Sequence, residues 1–156
     1  MLLHTVRFWM YWIWSRSARR IYSWFPVFGP LRGSIGIIES GGAYLVIDRS
    51  DGLGFSFPGG VANRAERDVE ALRRELREET GLILIDAQEL FRFESNSDVP
   101  AVTSVFRATV AGTVRASWEG KPCWLTLAEL ERTKVFEAQQ PVITYLKKLR
   151  MWYDQQ

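Results

Sequence analysis

The spacing of apolar and polar positions changes several times along the chain, and each change marks a structural element. GSIGIIES and AYLVID are dense in Ile, Leu and Val and are joined by Ser40, Gly41 and Gly42, which predicts two strands in a hairpin. GFSFPGG follows as a short strand broken by Pro58 and Gly59-Gly60. From about Glu66 to Thr80 the pattern becomes helical, with Gly81 as the stop. Strands are predicted again from Leu82 to Ile85, Glu89 to Glu94, Thr103 to Val110 and Lys121 to Thr126, then helices near Leu127 to Arg132 and Gln140 to Trp152. No internal repeat or low-complexity run interrupts this order. It predicts an α/β (α+β) domain, a sheet with helices on both faces.

Residues 1–28, MLLHTVRFWMYWIWSRSARRIYSWFPVF, stand apart as an aromatic and basic extension, with the domain proper over 29–156. The apolar run from Phe8 to Trp14 is much shorter than the roughly 20 residues that span a bilayer, and no small-residue cleavage site follows it. Two readings stay open. The segment is an aromatic helix lying at a membrane surface with Arg16, Arg19 and Arg20 towards headgroups, or a helix packed on the domain or on a partner subunit.

Composition narrows the chemistry. Lys plus Arg number 20 against 18 Asp plus Glu, too even a balance to announce a nucleic-acid partner. Cys123 is the sole cysteine, so an internal disulfide and a cysteine-built zinc site are excluded and a reducing cytoplasm is the expected location, peripheral to the inner membrane face if the extension is an anchor. The sole histidine, His4, lies near the chain start, which argues against a histidine base or a histidine-ligated metal. Carboxylates must carry any catalysis.

They are concentrated in GVANRAERDVEALRRELREETGL, residues 60–82. On a helix Glu75, Glu78 and Glu79 fall at i, i+3 and i+4 and share one face, and Glu66 joins from the helix start. Like charges so close repel unless a cation sits among them, and oxygen-only ligands suit a hard ion such as magnesium or manganese. Taken alone, RRELREE reads more readily as a solvated, salt-bridged helix face.

The full spacing changes that reading. It matches the signature of the Nudix hydrolase family, G-x5-E-x7-R-E-U-x-E-E-x-G-U with U aliphatic, at Gly60, Glu66, Arg74, Glu75, Leu76, Glu78, Glu79, Gly81 and Leu82. The resemblance implies the Nudix fold, an α/β/α sandwich with a central mixed β-sheet, and a magnesium-dependent hydrolase (manganese as a substitute) that cuts a diphosphate bond in a small nucleotide-like substrate. By similarity Glu75, Glu78 and Glu79 are metal ligands, Glu66 supports the metal face, the Gly59 carbonyl assists, and Arg74 orients Glu75 or pairs with Glu66. WEGKPCWLTLAEL resembles the family segment in which a further glutamate precedes a tryptophan strand, making Glu119 a candidate ligand or base. The general base stays open among Glu78, Glu79 and Glu119. Ala65 and Asn63 depart from residues that many members carry there, but neither position belongs to the signature.

Substrate signals are weaker. Gln139, two residues before Pro141, resembles a position where some nucleotide-cleansing relatives place a base-reading amide, although a helix start at Pro141 explains it as well. Arg49 is a candidate contact for a terminal phosphate. Phe91 and Phe93 alternate and read as core rather than a stacking platform. Motifs that mark members acting on NADH, coenzyme A, ADP-ribose or dinucleoside polyphosphates are absent, and a nucleoside triphosphate is the expected substrate. Two rivals remain: a non-catalytic module that senses nucleotides, and a membrane-associated hydrolase of lipid or prenyl diphosphates.

Overall fold

Two four-stranded sheets organise the computed structural model, which describes residues 30–95 and 100–155. The extension over 1–28 lies outside these residues. The first sheet has the order β5 (Gly59–Val61), β1 (Leu31–Ile37), β7 (Ala101–Ala111), β6 (Ile83–Ser95). Only β1 and β7 run parallel, so this sheet is mixed, as expected. In the second, β3 (Ala43–Arg49) pairs along its length with β8 (Gly120–Thr126), while β2 (Glu39–Ser40) and β4 (Phe55–Ser56) pair with its other edge.

Side chains alternate across these strands, and each face acquires its own core. Ile35, Ile37, Val46 and Val105 pack with Leu127 and Leu130 of α2 (Leu127–Leu130) and with Val142, Ile143 and Leu146 of α3 (Gln140–Tyr153). Leu45, Phe106 and Ala108 point the other way, onto Leu72 and Leu76 of α1 (Asp68–Thr80). Helices therefore cover both faces. Among the described residues no helix is long and apolar enough to cross a membrane.

α1 forms because Asp68–Thr80 contains strong helix formers and no Gly or Pro, with Val69, Leu72 and Leu76 on one side. Glu70 reaches back to accept a hydrogen bond from the Arg67 amide, and Gly81 (φ 73°) ends the helix by donating to the Arg77 carbonyl. Leu72 and Leu76 are fully buried. Leu76→Ala should destabilise the domain by about 2–5 kcal/mol, read as a lower urea midpoint at unchanged slope.

The structure departs from the sequence expectation in three places. GSIGIIES does not pair with AYLVID as one hairpin: β1 joins the first sheet beside β7, and only residues 38–40 turn back on β3. The strands expected over 82–85 and 89–94 are one strand, β6, with register shifts between Leu84 and Asp86 and between Glu89 and Phe91. Bulges at Ile85 and Leu90 absorb the polar stretch that reads as a break, and the second brings both Leu90 and Phe91 onto the α3-side core. Phe91 also stacks at 4.8 Å on Tyr145, which makes it core. Glu66 precedes α1 rather than opening it, because its amide donates to the Asn63 carbonyl and its carboxylate accepts from the Asn63 amide, closing a turn.

Candidate active site

The end of α1 and the turn before β5 build the site together. Gly59 has φ 147° and lies so close to β1 that a Cβ there would run into the Ser34 carbonyl. This close approach aims the Gly59 amide at Glu79, donating to its Oε2 at 2.8 Å. Next to it, the Glu75 carboxylate packs over the bare Cα of Gly60, in the space a side chain would need.

Arg74 gathers the other carboxylates. Its Nε and Nη2 donate to the two oxygens of Glu66 at 3.1 and 3.0 Å, a two-point grip, and its Nη1 donates to Glu75 at 2.7 Å. Nη1 also reaches Glu78 at 3.5 Å, and Nη2 donates to the Val61 carbonyl at 3.1 Å. The Arg74 hydrogen bonds, helped by the Asn63 amide, hold the Glu66 carboxyl down at about 2. Glu75 goes the other way, because burial outweighs the pull of Arg74 and raises it.

Glu79 faces a different environment. Its relative exposure is only 7%, and burial raises its carboxyl far above the usual range despite the Gly59 amide. The neighbouring carboxylates of Glu119 and Glu75 raise it further. Glu119 is held there by its loop. Ser50 donates from its amide and hydroxyl to the Glu119 carbonyl, both at 2.9 Å, and the Glu119 amide donates to Ser117 Oγ at 3.2 Å.

The glutamates of the signature thus stand in two adjoining groups. Glu66, Glu75 and Glu78 meet on Arg74, while Glu79 binds the Gly59 amide with the Glu119 charge nearby. Among the described residues no three carboxylates converge on a single point ready for an ion. The Arg74 guanidinium is the positive charge around which Glu66 and Glu75 are arranged, and Glu79 lies apart from it on the Gly59 amide.

Arg49 and Gln139 are engaged elsewhere. Arg49 grips Asp51 with Nε and Nη2 and lies 4.8 Å above the Phe136 ring. Gln139 is buried at the start of α3, its Oε1 accepting from the Phe57 amide at 2.7 Å and its Nε2 donating to the Phe57 carbonyl at 3.3 Å. Both ends of its amide serve to fix the segment leading to Gly59. Sequence reading missed this pairing, along with the Ser50 support of Glu119, because the partners are 82 and 69 residues apart.

These features define an α+β domain that sets glutamates at the end of one helix against a glycine turn and a loop glutamate. The NUDIX domain model matches residues 29–146, so the chain belongs to the Nudix family, and it is a Nudix hydrolase. The ORF135 protein of E. coli is 25% identical with a TM-score of 0.70, covering 80% of this chain and 94% of its own. A MutT Nudix hydrolase from Burkholderia pseudomallei is also 25% identical, with a TM-score of 0.58 over 64% of this chain and 84% of its own. The MutT protein of Methanosarcina mazei, at 22% identity, shares the fold with a TM-score of 0.64 over 78% of this chain and 96% of its own. No curated protein sequence matches the chain significantly.

Proposed function

We propose that this hydrolase cleaves the diphosphate linkage of a nucleoside diphosphate derivative, a nucleoside triphosphate first among them, with magnesium as its working ion and manganese as a substitute. The observation that carries the reading is the buried Glu79 carboxylate, held at 2.8 Å by the Gly59 amide at the end of the helix that also carries Glu75 and Glu78, a set of carboxylates whose charge a divalent cation would offset. The donor set fits such an ion in kind, being all oxygen. Glu75, Glu78 and Glu79 would hold it, with Glu66, Glu119 and the Gly59 carbonyl as further donors. Bound there, magnesium would neutralise charge on the diphosphate and polarise the attacking water.

The chain's own residues do the rest. Gly59 fixes one oxygen of Glu79, and Arg74 keeps Glu66 and Glu75 on the same side of α1. A carboxylate of the set, Glu78, Glu79 or Glu119, takes the proton of the water as its oxygen bonds to phosphorus and the bridging oxygen leaves with the other product. For a nucleoside triphosphate the products are a monophosphate and pyrophosphate. The likeness to a MutT Nudix hydrolase at 25% identity supports hydrolysis as the reaction.

A panel of nucleoside triphosphates, oxidised purine triphosphates, nucleotide sugars and dinucleotides, with products identified by mass, tests the proposal. At least one should yield a monophosphate and its partner with magnesium, and chelation should remove the activity until magnesium or manganese is restored. No product from any member would reject it.

A further inference from the structure

A second polar cluster, built on side chains at none of the signature's fixed positions, backs the turn that carries Glu66. Arg32 on β1 spans three groups: its Nη2 donates to the Glu66 and Asn63 carbonyls, the latter at 3.4 Å, and its Nη1 stands 3.4 Å from Asp68 Oδ1. The Arg32 carbonyl also accepts from the Ala62 amide at 2.8 Å. Asp68, the first residue of α1, accepts from the Ser104 hydroxyl on its other oxygen at 2.8 Å, with Arg92 at 3.9 Å. Oδ1 itself is buried and takes no hydrogen bond, so the nearby guanidinium is its main compensation.

We propose that Arg32, oriented by Asp68 and Ser104, is a positioning residue that locks the 63–66 turn so that Glu66 grips Arg74 and thereby presents Glu75 to the divalent ion. The inference rests on the metal-site reading above. The chain of contacts is continuous. Ser104 fixes Asp68, Asp68 faces Arg32, Arg32 binds the turn through two carbonyls, and Glu66 then holds Arg74 at two points and Arg74 holds Glu75. Asp68 occupies a variable position of the signature and Arg32 lies well before it, so the spacing of the signature alone does not reveal them. Two carbonyls and a carboxylate need the planar fork of arginine, which lysine reproduces only in part.

The test compares wild type with Arg32→Met, Arg32→Lys, Asp68→Asn and Ser104→Ala, each checked for folding by circular dichroism. Direct Mn2+ binding is followed by electron paramagnetic resonance, and magnesium activation curves are recorded on the best substrate. Arg32→Met and Asp68→Asn should raise the Mn2+ dissociation constant and the half-activating magnesium concentration about five- to tenfold, with kcat at saturating magnesium within about threefold of wild type. Arg32→Lys should recover part of the loss, and Ser104→Ala should shift binding about twofold. Leu146→Ala, a buried position on α3 away from the glutamates, serves as the control for destabilisation, lowering the melting temperature without changing Mn2+ affinity. Wild-type Mn2+ affinity in folded Arg32→Met would overturn the positioning role alone, whereas failure of wild type itself to take up Mn2+ would overturn the metal-site reading and this inference with it.

Discussion

Glu79→Gln is expected to lower turnover at least about a hundredfold while leaving the fold intact. Glutamine keeps an acceptor oxygen for the Gly59 amide, so the turn before β5 stays in place. What disappears is the capacity to take a negative charge when a cation binds, which burial and the neighbouring Glu119 and Glu75 oppose until then. In the metal-free protein the same burial and neighbouring carboxylates hold the group protonated, so an uncharged glutamine amide replaces an uncharged carboxyl. Stability should therefore be unchanged or slightly higher, with a melting temperature no more than about 3 °C below wild type. The pairing of lost activity with retained stability separates removal of a ligand or base from simple unfolding. Glu78→Gln should show a comparable loss of turnover, and wild-type rates in either variant would remove the proposed site.

Gly59→Ala should have the second large effect, and on stability. Its backbone angle is one that L side chains rarely adopt, and the new Cβ would meet the Ser34 carbonyl and the Ile35 Cα, which belong to a central strand and cannot step aside. We expect a loss of about 2–4 kcal/mol, measured as a lower urea midpoint, together with loss of activity as the Gly59 amide leaves Glu79. Gly60→Ala makes the contrast. There the obstacle is the carboxylate of Glu75, the free end of a side chain, so stability should change by less than about 1 kcal/mol while magnesium activation weakens.

Much of this was legible in the sequence, for reasons that can be named. The i, i+3, i+4 spacing of Glu75, Glu78 and Glu79 sits on an uninterrupted run of helix formers with Gly81 at its end, so local rules suffice to place three carboxylates on one side of α1. The turn at Gly41-Gly42 and the start of α3 at Gln140, just before Pro141, are equally local, whereas the departure of β1 into the other sheet is not. The rest depends on partners distant in sequence. Nothing near Glu119 says that its loop is pinned by Ser50 and turned onto Glu79, and nothing near Gln139 says that its amide closes on the Phe57 backbone. The continuity of β6 was hidden because Asp86 and Gln88 have low strand preference, and pairing to β7 overrides that preference through two bulges. The division of the glutamates into an Arg74 group and a Glu79 group was likewise beyond local spacing, since it follows from where Gly59 and the Glu119 loop meet the helix.

Titration calorimetry of magnesium and manganese into the protein, with a non-hydrolysable nucleoside triphosphate analogue present, bears most directly on the claim that these glutamates serve a divalent ion. The account predicts saturable uptake of at least one ion per chain and at least about tenfold weaker binding in Glu79→Gln. Absence of uptake by the wild-type protein, or equal affinity in both proteins, would contradict it.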